Sequence, residues 1–191
     1  MATGGPNPTR LYTRTGDGGE TGLAGGARIA KDSPRIRAFG TLDELGATLG
    51  VAEGLLPGSP DPLRELLVRL QHEVFLAQAE VATAPGTPLP AHRIEARHVA
   101  RLEGELDRYT ASIGPLRSFV LPRGTPAAAA IHVSRTVARR AERALWELHR
   151  TEPLPPALMQ WANRLSDLLF ALALAVNQRA RVPEIPPDYT V

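Results

Sequence analysis

Apolar residues recur every three or four positions through most of this chain, and proline- or glycine-rich breaks divide the pattern into five segments. Such spacing places apolar side chains on one face of an α-helix, whereas a strand would need strict alternation. The segments cover about 34–56, 61–83, 91–113, 126–149 and 156–179, and the third is the most charged. No segment alternates as a strand would. The pattern predicts an all-α protein, a five-helix antiparallel bundle with an irregular N-terminal segment.

Local signals indicate where two of these helices begin. Ser33 precedes Pro34, and Thr125 precedes Pro126. In each pair a hydroxyl can accept a hydrogen bond from the first turn, and proline occupies a position where its missing N–H is not needed. The run Pro-Gly-Ser-Pro at 57–60 is expected to end the first helix.

The parts of the chain outside the helices define its organisation. The first 33 residues are rich in glycine, threonine and proline, and residues 114–126 form a linker before the fourth helix. Prolines also recur after residue 181. We therefore expect a flexible N-terminal tail over 1–10, a single domain over 11–180 and an extended C-terminal tail over 181–191.

Composition excludes several classes of site. The chain has no cysteine, which excludes disulfide frameworks, zinc–thiolate sites and thiol catalysis, and its five histidines lack metal-binding spacing. A net charge of +2 and an aromatic content of 5% argue against a protein that binds nucleic acid. No stretch approaches the roughly 18 apolar residues of a membrane helix. The N-terminus lacks the apolar segment of a secretory signal, so we expect a cytoplasmic protein without membrane partners.

A segment rich in glycine and threonine, residues 12–22, is the first candidate site. Glycines let backbone amides approach a phosphate, threonine hydroxyls donate further hydrogen bonds, and Arg14 adds positive charge. The segment lacks the Gly-Lys-Ser/Thr of a Walker A loop. Its composition fits a flexible loop and an anion cradle equally well, and Asp17 is typical of a turn rather than of an acid catalyst.

A row of arginines in the fourth helix is the second candidate. Arg135, Arg139 and Arg143 are four residues apart, so they lie along one stripe of the helix. A bound anion or a set of carboxylates would relieve the repulsion among them, and polyphosphate suits the bidentate geometry of arginine. The alternative is a solvated face with Glu142 and other acids as partners. The separate apolar face of this helix favours anion binding.

Three further positions stay open on local evidence. Lys31, the only lysine, can bind a phosphate as a point charge, although a solvated surface lysine is the simpler interpretation. Asp43 and Glu44 are either surface acids or partners for an arginine of the fourth helix. Asn163 and Asp167 are four apart and contact either a nucleotide or water, and the residues alone favour water.

Six stretches in one order, between about residues 11 and 178, resemble the PduO-type ATP:cob(I)alamin adenosyltransferases. The stretches are Thr13-Arg-Thr-Gly-Asp-x-Gly-x-Thr, Lys31-Asp, Phe39-Gly-Thr-Leu-Asp-Glu-Leu, Phe119-Val-Leu-Pro, Arg135-x3-Arg139-Arg-Ala-Glu-Arg143 and Asn163-Arg-Leu-Ser-Asp167. Each is modest alone, but six in sequence are specific. Two departures add or keep positive charge: Arg14 stands where many members have lysine, and Arg123 stands where glycine is common.

The resemblance implies a fold, an assembly and a reaction. The family forms five-helix bundles that assemble as homotrimers, with active sites between neighbouring subunits. The implied reaction transfers the 5′-deoxyadenosyl group of ATP to cob(I)alamin and gives adenosylcobalamin and tripolyphosphate. It implies Mg²⁺ held by the ATP phosphates without a direct protein ligand, and a reductase and a B12-dependent enzyme as partners. The alternative is a non-catalytic ATP- or corrinoid-binding carrier or chaperone, which would keep the loop and the arginines.

The resemblance also assigns roles to single residues. The implied ATP ligands are Thr13, Arg14, Thr15, Gly16, Thr21, Gly22, Lys31, Arg139, Arg140, Ala141, Glu142, Arg143 and Asn163. Catalysis is expected to need Arg139, Arg135 and Asp43, with Arg135 pairing with Asp43 across the subunit interface. Phe119 matches the aromatic residue that crowds the lower face of the corrinoid.

Overall fold

The computed structural model describes Tyr12 and residues 14–58, 60–115 and 118–190. The predicted tail over 1–10 and the loop residue Thr13 therefore lie outside the described residues. The described residues form five helices, which are α1 (Pro34–Gly54), α2 (Pro62–Ala82), α3 (Ala96–Ile113), α4 (Pro126–His149) and α5 (Pro156–Arg179). The prediction of an all-α protein with five helices is confirmed, and α4 and α5 have the expected bounds.

The predicted helix starts have the expected caps. The Ser33 hydroxyl accepts a hydrogen bond from the Ile36 amide at 3.3 Å, and the Thr125 hydroxyl accepts one from the Ala128 amide at 3.1 Å. Each cap satisfies an amide that has no partner within its helix, which typically stabilises a helix by about 1 kcal/mol. The cap on α4 also joins that helix to the linker that carries Phe119.

The third helix begins five residues later than predicted, at Ala96 rather than near residue 91. The backbone amide of Ile94 donates to the Glu80 carboxylate of α2 at 2.6 Å, and the amide of Glu95 donates to Nδ1 of His98 at 2.9 Å. These contacts hold the backbone before Ala96 outside the helix. The first of them is tertiary, so the local sequence could not reveal it.

Two short strands in the N-terminal segment were not predicted. β1 (Glu20–Gly22) pairs antiparallel with β2 (Arg28–Ala30), with Thr21 opposite Ile29. The turn between them is tied to the end of α2, because the Ala24 amide donates to the Ala82 carbonyl at 2.9 Å. The irregular segment is therefore partly ordered and fixed to one end of the bundle.

The helices pack in the spatial order α2, α1, α4, α5, α3, so α4 lies between α1 and α5. Arg37 near the start of α1 pairs with Glu147 near the end of α4 at 2.9 Å, which shows that the two helices are antiparallel. Trp161 of α5 is fully buried, and its indole nitrogen donates to the Glu73 carboxylate of α2 at 2.8 Å. Within the described ranges, no helix has the length and apolar character needed to cross a membrane.

Candidate active site

The arginines of α4 divide into two environments. Arg139, Arg140 and Arg143 are exposed, whereas Arg135 is half-buried with its guanidinium 5.8 Å from the ring centre of Phe170 in α5. Arg143 donates to the backbone carbonyl of Arg139 at 3.2 Å, which sets the two exposed side chains one turn apart on one stripe. In the part of the chain that the structure describes, neither Arg139 nor Arg143 forms an ion pair with a carboxylate. Two solvent-facing guanidinium groups are therefore available to bind an anion.

Of the two acids of α1, Glu44 makes the contact with a fourth-helix arginine that the sequence left open, whereas Asp43 contacts α2 within one chain. Glu44 forms an ion pair with Arg140, which follows Arg139 but lies outside the stripe of Arg135, Arg139 and Arg143. Asp43 instead accepts a hydrogen bond from the Gln78 amide of α2 at 3.1 Å. Within one chain Asp43 thus faces α2 while Arg135 faces α5. Their expected contact across a subunit interface stays a prediction.

A polar network connects α4 to α5 and α3. Asn163 donates to Glu142 at 2.8 Å, and Arg164 donates to the Asn163 side-chain oxygen at 2.5 Å and to Glu103 at 3.1 Å. The structure therefore places Asn163 beside the arginine row, which its local sequence did not indicate. Ala141, which the family resemblance implied as an ATP ligand, has a buried side chain that faces the core.

The glycine-rich loop is folded back onto its own hairpin. Lys31 donates to the Gly16 carbonyl at 2.7 Å, and Arg28 donates to the Thr15 carbonyl at 2.7 Å. These contacts bring Lys31 to the loop, as a phosphate-binding role requires, although the local sequence favoured a solvated lysine. Arg14 has a positive φ of 60° and an exposed side chain. Arg28 was not predicted, because only the hairpin brings it to the loop.

The rest of the predicted loop residues lie on β1. Thr21 is half-buried and Gly22 is exposed. The hairpin is tied to the end of α2, and Arg35 at the start of α1 contacts both the Thr83 carbonyl there and Glu152 just after α4. The loop therefore lies at the same end of the bundle as the end of α4, but no contact among the described residues joins it to Arg139 or Arg143.

Phe119 lies on the linker before α4 and is 82% exposed. The backbone next to it is held by the segment after α5, because the Leu121 amide donates to the Ile185 carbonyl at 2.8 Å. Its exposure leaves the ring free to contact a ligand, but a single exposed aromatic side chain does not by itself indicate one.

A buried histidine adjoins Arg135. His132 is 2% exposed, stacks at a tilt 6.1 Å from Phe170, and has no hydrogen-bond partner for either ring nitrogen among the described residues. Burial, and then the charge of Arg135, lower the pKa of His132 to about 4. Burial, and then Arg139, also lower the pKa of Arg135. His132 is therefore neutral at physiological pH and acts as packing. No group of three potential metal ligands from His, Cys, Asp and Glu occurs in the described ranges.

Comparison with known proteins gives consistent matches. The family model for cobalamin adenosyltransferase matches residues 11–176. The corrinoid adenosyltransferase of Bacillus subtilis (strain 168) is 39% identical over 178 residues, which are 92% of this chain and 91% of that protein. The corrinoid adenosyltransferase PduO of Citrobacter freundii is 43% identical over 171 residues, which are 89% of this chain and 50% of that protein. The chain thus spans about half of that relative.

The fold has solved counterparts as well. A variant of the PduO-type ATP:corrinoid adenosyltransferase from Lactobacillus reuteri, complexed with cobalamin and ATP, matches with a TM-score of 0.87 and 31% identity. The match covers 93% of this chain and 99% of that one. A second variant, complexed with ATP, matches with a TM-score of 0.86 and 32% identity.

The buried His132 predicts a specific pH dependence of stability. Its ordinary pKa of 6.5 falls to about 4 on folding, so the unfolded state binds a proton between these values and the folded state does not. Stability is therefore lost as pH falls through this window. From pH 7 to pH 5 we expect the wild type to lose about 2 kcal/mol more unfolding free energy than His132→Phe. Equal losses in urea titrations of the two proteins would contradict a depressed pKa.

Proposed function

The chain belongs to the cobalamin adenosyltransferase family, and on that premise we propose that it is an ATP:corrinoid adenosyltransferase. It transfers the 5′-deoxyadenosyl group of ATP to cob(I)alamin and releases tripolyphosphate. The observation that carries the proposal is the pair of exposed guanidinium groups on α4, Arg139 and Arg143, beside the Asn163–Glu142 contact. This arrangement offers charge for a triphosphate and polar groups for a nucleoside on one surface.

The reaction needs no general acid or base from the protein. The Co(I) electron pair forms a bond to C5′ of ATP, the C5′–O bond breaks, and its electrons leave with tripolyphosphate. The protein must align cobalt with C5′ and stabilise negative charge on the leaving group. No proton has to be removed from a reacting atom, so the reaction needs no histidine as a general base.

The triphosphate lies between the arginines and the glycine-rich loop. Arg139 and Arg143 bind it from α4, and Arg140, paired with Glu44, borders them. Lys31 exchanges the neutral Gly16 carbonyl for a phosphate oxygen, because an ionised acceptor gives the stronger hydrogen bond. The remaining loop ligands are Thr13, Arg14, Thr15, Gly16, Thr21 and Gly22. Mg²⁺ is held by the phosphate oxygens and offsets part of their charge.

The complete site forms between subunits of a homotrimer. Among the described residues no contact joins the loop to Arg139 or Arg143 within one chain, and a neighbouring subunit brings the second set. Arg135 supports this assembly, because its half-buried guanidinium has an Nε without a partner in the described part of the chain. Asp43 of the neighbour supplies that partner. Phe75, which is 70% exposed, lies one turn from Gln78, the residue that holds Asp43, and becomes covered in the same contact.

Phe119 acts on the corrinoid rather than on ATP. Its exposed ring covers the lower face of the corrin and excludes an axial ligand from cobalt. A Co(II) centre without that ligand is easier to reduce to Co(I). A reductase supplies the electron, a B12-dependent enzyme takes the product, and the reducing cytoplasm suits the chemistry.

The role of the arginine row is tested by Arg139→Ala. We expect this change to lower kcat/KM for ATP at least about 100-fold, because it removes charge that stabilises the leaving triphosphate. The assay follows the visible spectrum of chemically reduced cob(I)alamin under anaerobic conditions with ATP and Mg²⁺. Arg150→Ala is the matched control, since Arg150 is an exposed arginine at the end of the same helix. Unchanged kinetics for Arg139→Ala would exclude its assigned role.

ATP binding without turnover in the wild type would favour a non-catalytic carrier instead.

The intersubunit pair is tested by Asp43→Asn. Losing the carboxylate leaves the half-buried Arg135 without its counter-charge and weakens the trimer. We expect the protein concentration at which half of the trimer is dissociated to rise about tenfold. Sedimentation velocity over a dilution series measures this change, with the exposed Asp107→Asn in α3 as the control. A trimer as stable as that of the wild type, with full activity, would rule out the Asp43–Arg135 pair.

The corrinoid contact is tested by Phe119→Ala. We expect the rate that starts from cob(II)alamin and a reductant to fall at least about tenfold more than the rate that starts from preformed Co(I). Only the first assay depends on excluding the lower ligand. Equal losses in both assays would refute this role.

A further inference from the structure

We infer that Asn177 is a positioning residue that fixes the loop carrying Phe119, an inference that rests on the function proposed above. Asn177 lies in the last turn of α5 and is 1% exposed. Its side-chain oxygen accepts from the Thr125 amide at 3.0 Å, and its side-chain nitrogen donates to the Arg123 carbonyl at 2.9 Å and to Glu184 at 2.9 Å. One buried amide therefore joins the loop, the start of α4 and the segment after α5.

Gly124 shows how closely the loop approaches this amide. Its φ is +127°, and a Cβ atom placed there would lie 2.0 Å from the Asn177 side-chain oxygen and 2.3 Å from its nitrogen. Only glycine leaves room for the amide to lie flat against the backbone between Arg123 and Thr125. The loop and the asparagine thus fit each other at a contact that no other residue type allows at position 124.

The segment after α5 also holds the loop, and we call the contacts of Asn177, Glu184 and Ile185 with the loop the clamp. The Val182 amide donates to the backbone carbonyl of Asn177 at 2.9 Å, which turns the chain back from the helix end towards the loop. Glu184 then accepts from the Asn177 side chain, and the Ile185 carbonyl accepts from the Leu121 amide at 2.8 Å. The loop is consequently held at Leu121, Arg123 and Thr125.

This clamp governs where Phe119 points. The ring is 82% exposed, so its own packing within the chain does little to orient it. Its position depends on the backbone two residues downstream, where the clamp begins at Leu121. A ring that must exclude a ligand from cobalt has to be placed within a fraction of an ångström. Loss of the clamp should therefore harm the Co(II) step first.

Asn177→Asp tests the hydrogen bonds of the Asn177 side chain, because aspartate has almost the same volume as asparagine. The carboxylate can still accept from the Thr125 amide, but it cannot donate to the Arg123 carbonyl or to Glu184, and it repels both. Gln178→Ala is the matched control, because Gln178 is the next residue of α5 and donates to the Ser112 carbonyl of α3 rather than to the loop. Asn177→Asp combined with Glu184→Gln restores a donor to the carboxylate and should recover part of the loss.

The first readout is independent of enzymatic activity. Arg123 is exposed, so trypsin can cut after it when the loop opens. We expect brief trypsin digestion, followed by mass spectrometry, to show cleavage after Arg123 about tenfold faster in Asn177→Asp than in the wild type or Gln178→Ala. Cleavage as slow as in the wild type would overturn the clamp. This readout stands even if the wild type does not form adenosylcobalamin, an outcome that refutes only the proposed function.

The second readout separates positioning from general damage. With cob(II)alamin and ATP bound, we expect Asn177→Asp to lose most of the electron paramagnetic resonance signal of cobalt that lacks a lower ligand. Its rate from cob(II)alamin should fall at least about tenfold while its rate from preformed Co(I) changes less than about threefold. If Asn177→Asp fails to fold, Glu184→Ala removes one arm of the clamp and should give a smaller change in the same direction. Equal losses from Co(II) and Co(I), or no loss, would overturn the positioning role.

Discussion

The packing of α4 between α1 and α5 is the constraint on which the remaining features depend. Ala138 and Leu145 are at most 2% exposed and commit one face of α4 to the core. The favourable free energy of burying that face, roughly 25 cal/mol per Å² of apolar surface, outweighs the repulsion among arginines on the opposite stripe. Arg139 and Arg143 must therefore face solvent, whatever they bind there. The core therefore leaves Arg139 and Arg143 on the surface, where the proposed function places the anion.

The arginines of α4 differ in their surroundings. Arg140 is paired with Glu44, burial lowers the pKa of Arg135, and Arg139 and Arg143 face solvent without a carboxylate partner among the described residues. A single chain is electrostatically incomplete at two points, one that suits a polyphosphate and one that suits a carboxylate. A triphosphate and a neighbouring subunit would satisfy them separately. Under the proposed function, this division would let one helix serve both catalysis and assembly.

The features that could be predicted from sequence are those with local causes. Periodic apolar residues placed α4 and α5, and the caps at Ser33 and Thr125 marked the starts of α1 and α4, because both signals act within a few residues. The β1–β2 hairpin was not predicted, because strands of three residues are too short to show an alternating pattern. The late start of α3 depends on the contact of Ile94 with Glu80, which are distant in sequence.

The candidate site shows the same limit. Motifs indicated the arginine row and Phe119, but only the fold reveals that Asn163 contacts Glu142 and that Lys31 meets Gly16. The sequence did not indicate a role for Asn177, because a single asparagine at a helix end is common. Its role becomes visible only in the structure, where Gly124 packs directly against its side-chain amide. Contacts between subunits have no counterpart in one chain, so Asp43 and Arg135 remain a prediction.

The most direct test of the account is the stoichiometry of a single anaerobic turnover by the wild-type protein. Protein, ATP, Mg²⁺ and preformed cob(I)alamin are mixed, and adenosylcobalamin and the phosphate products are quantified together. The account predicts one tripolyphosphate for each Co–C bond formed, because the C5′–O bond is the one that breaks. Release of diphosphate or orthophosphate without adenosylcobalamin, or ATP that stays bound and intact, would contradict it.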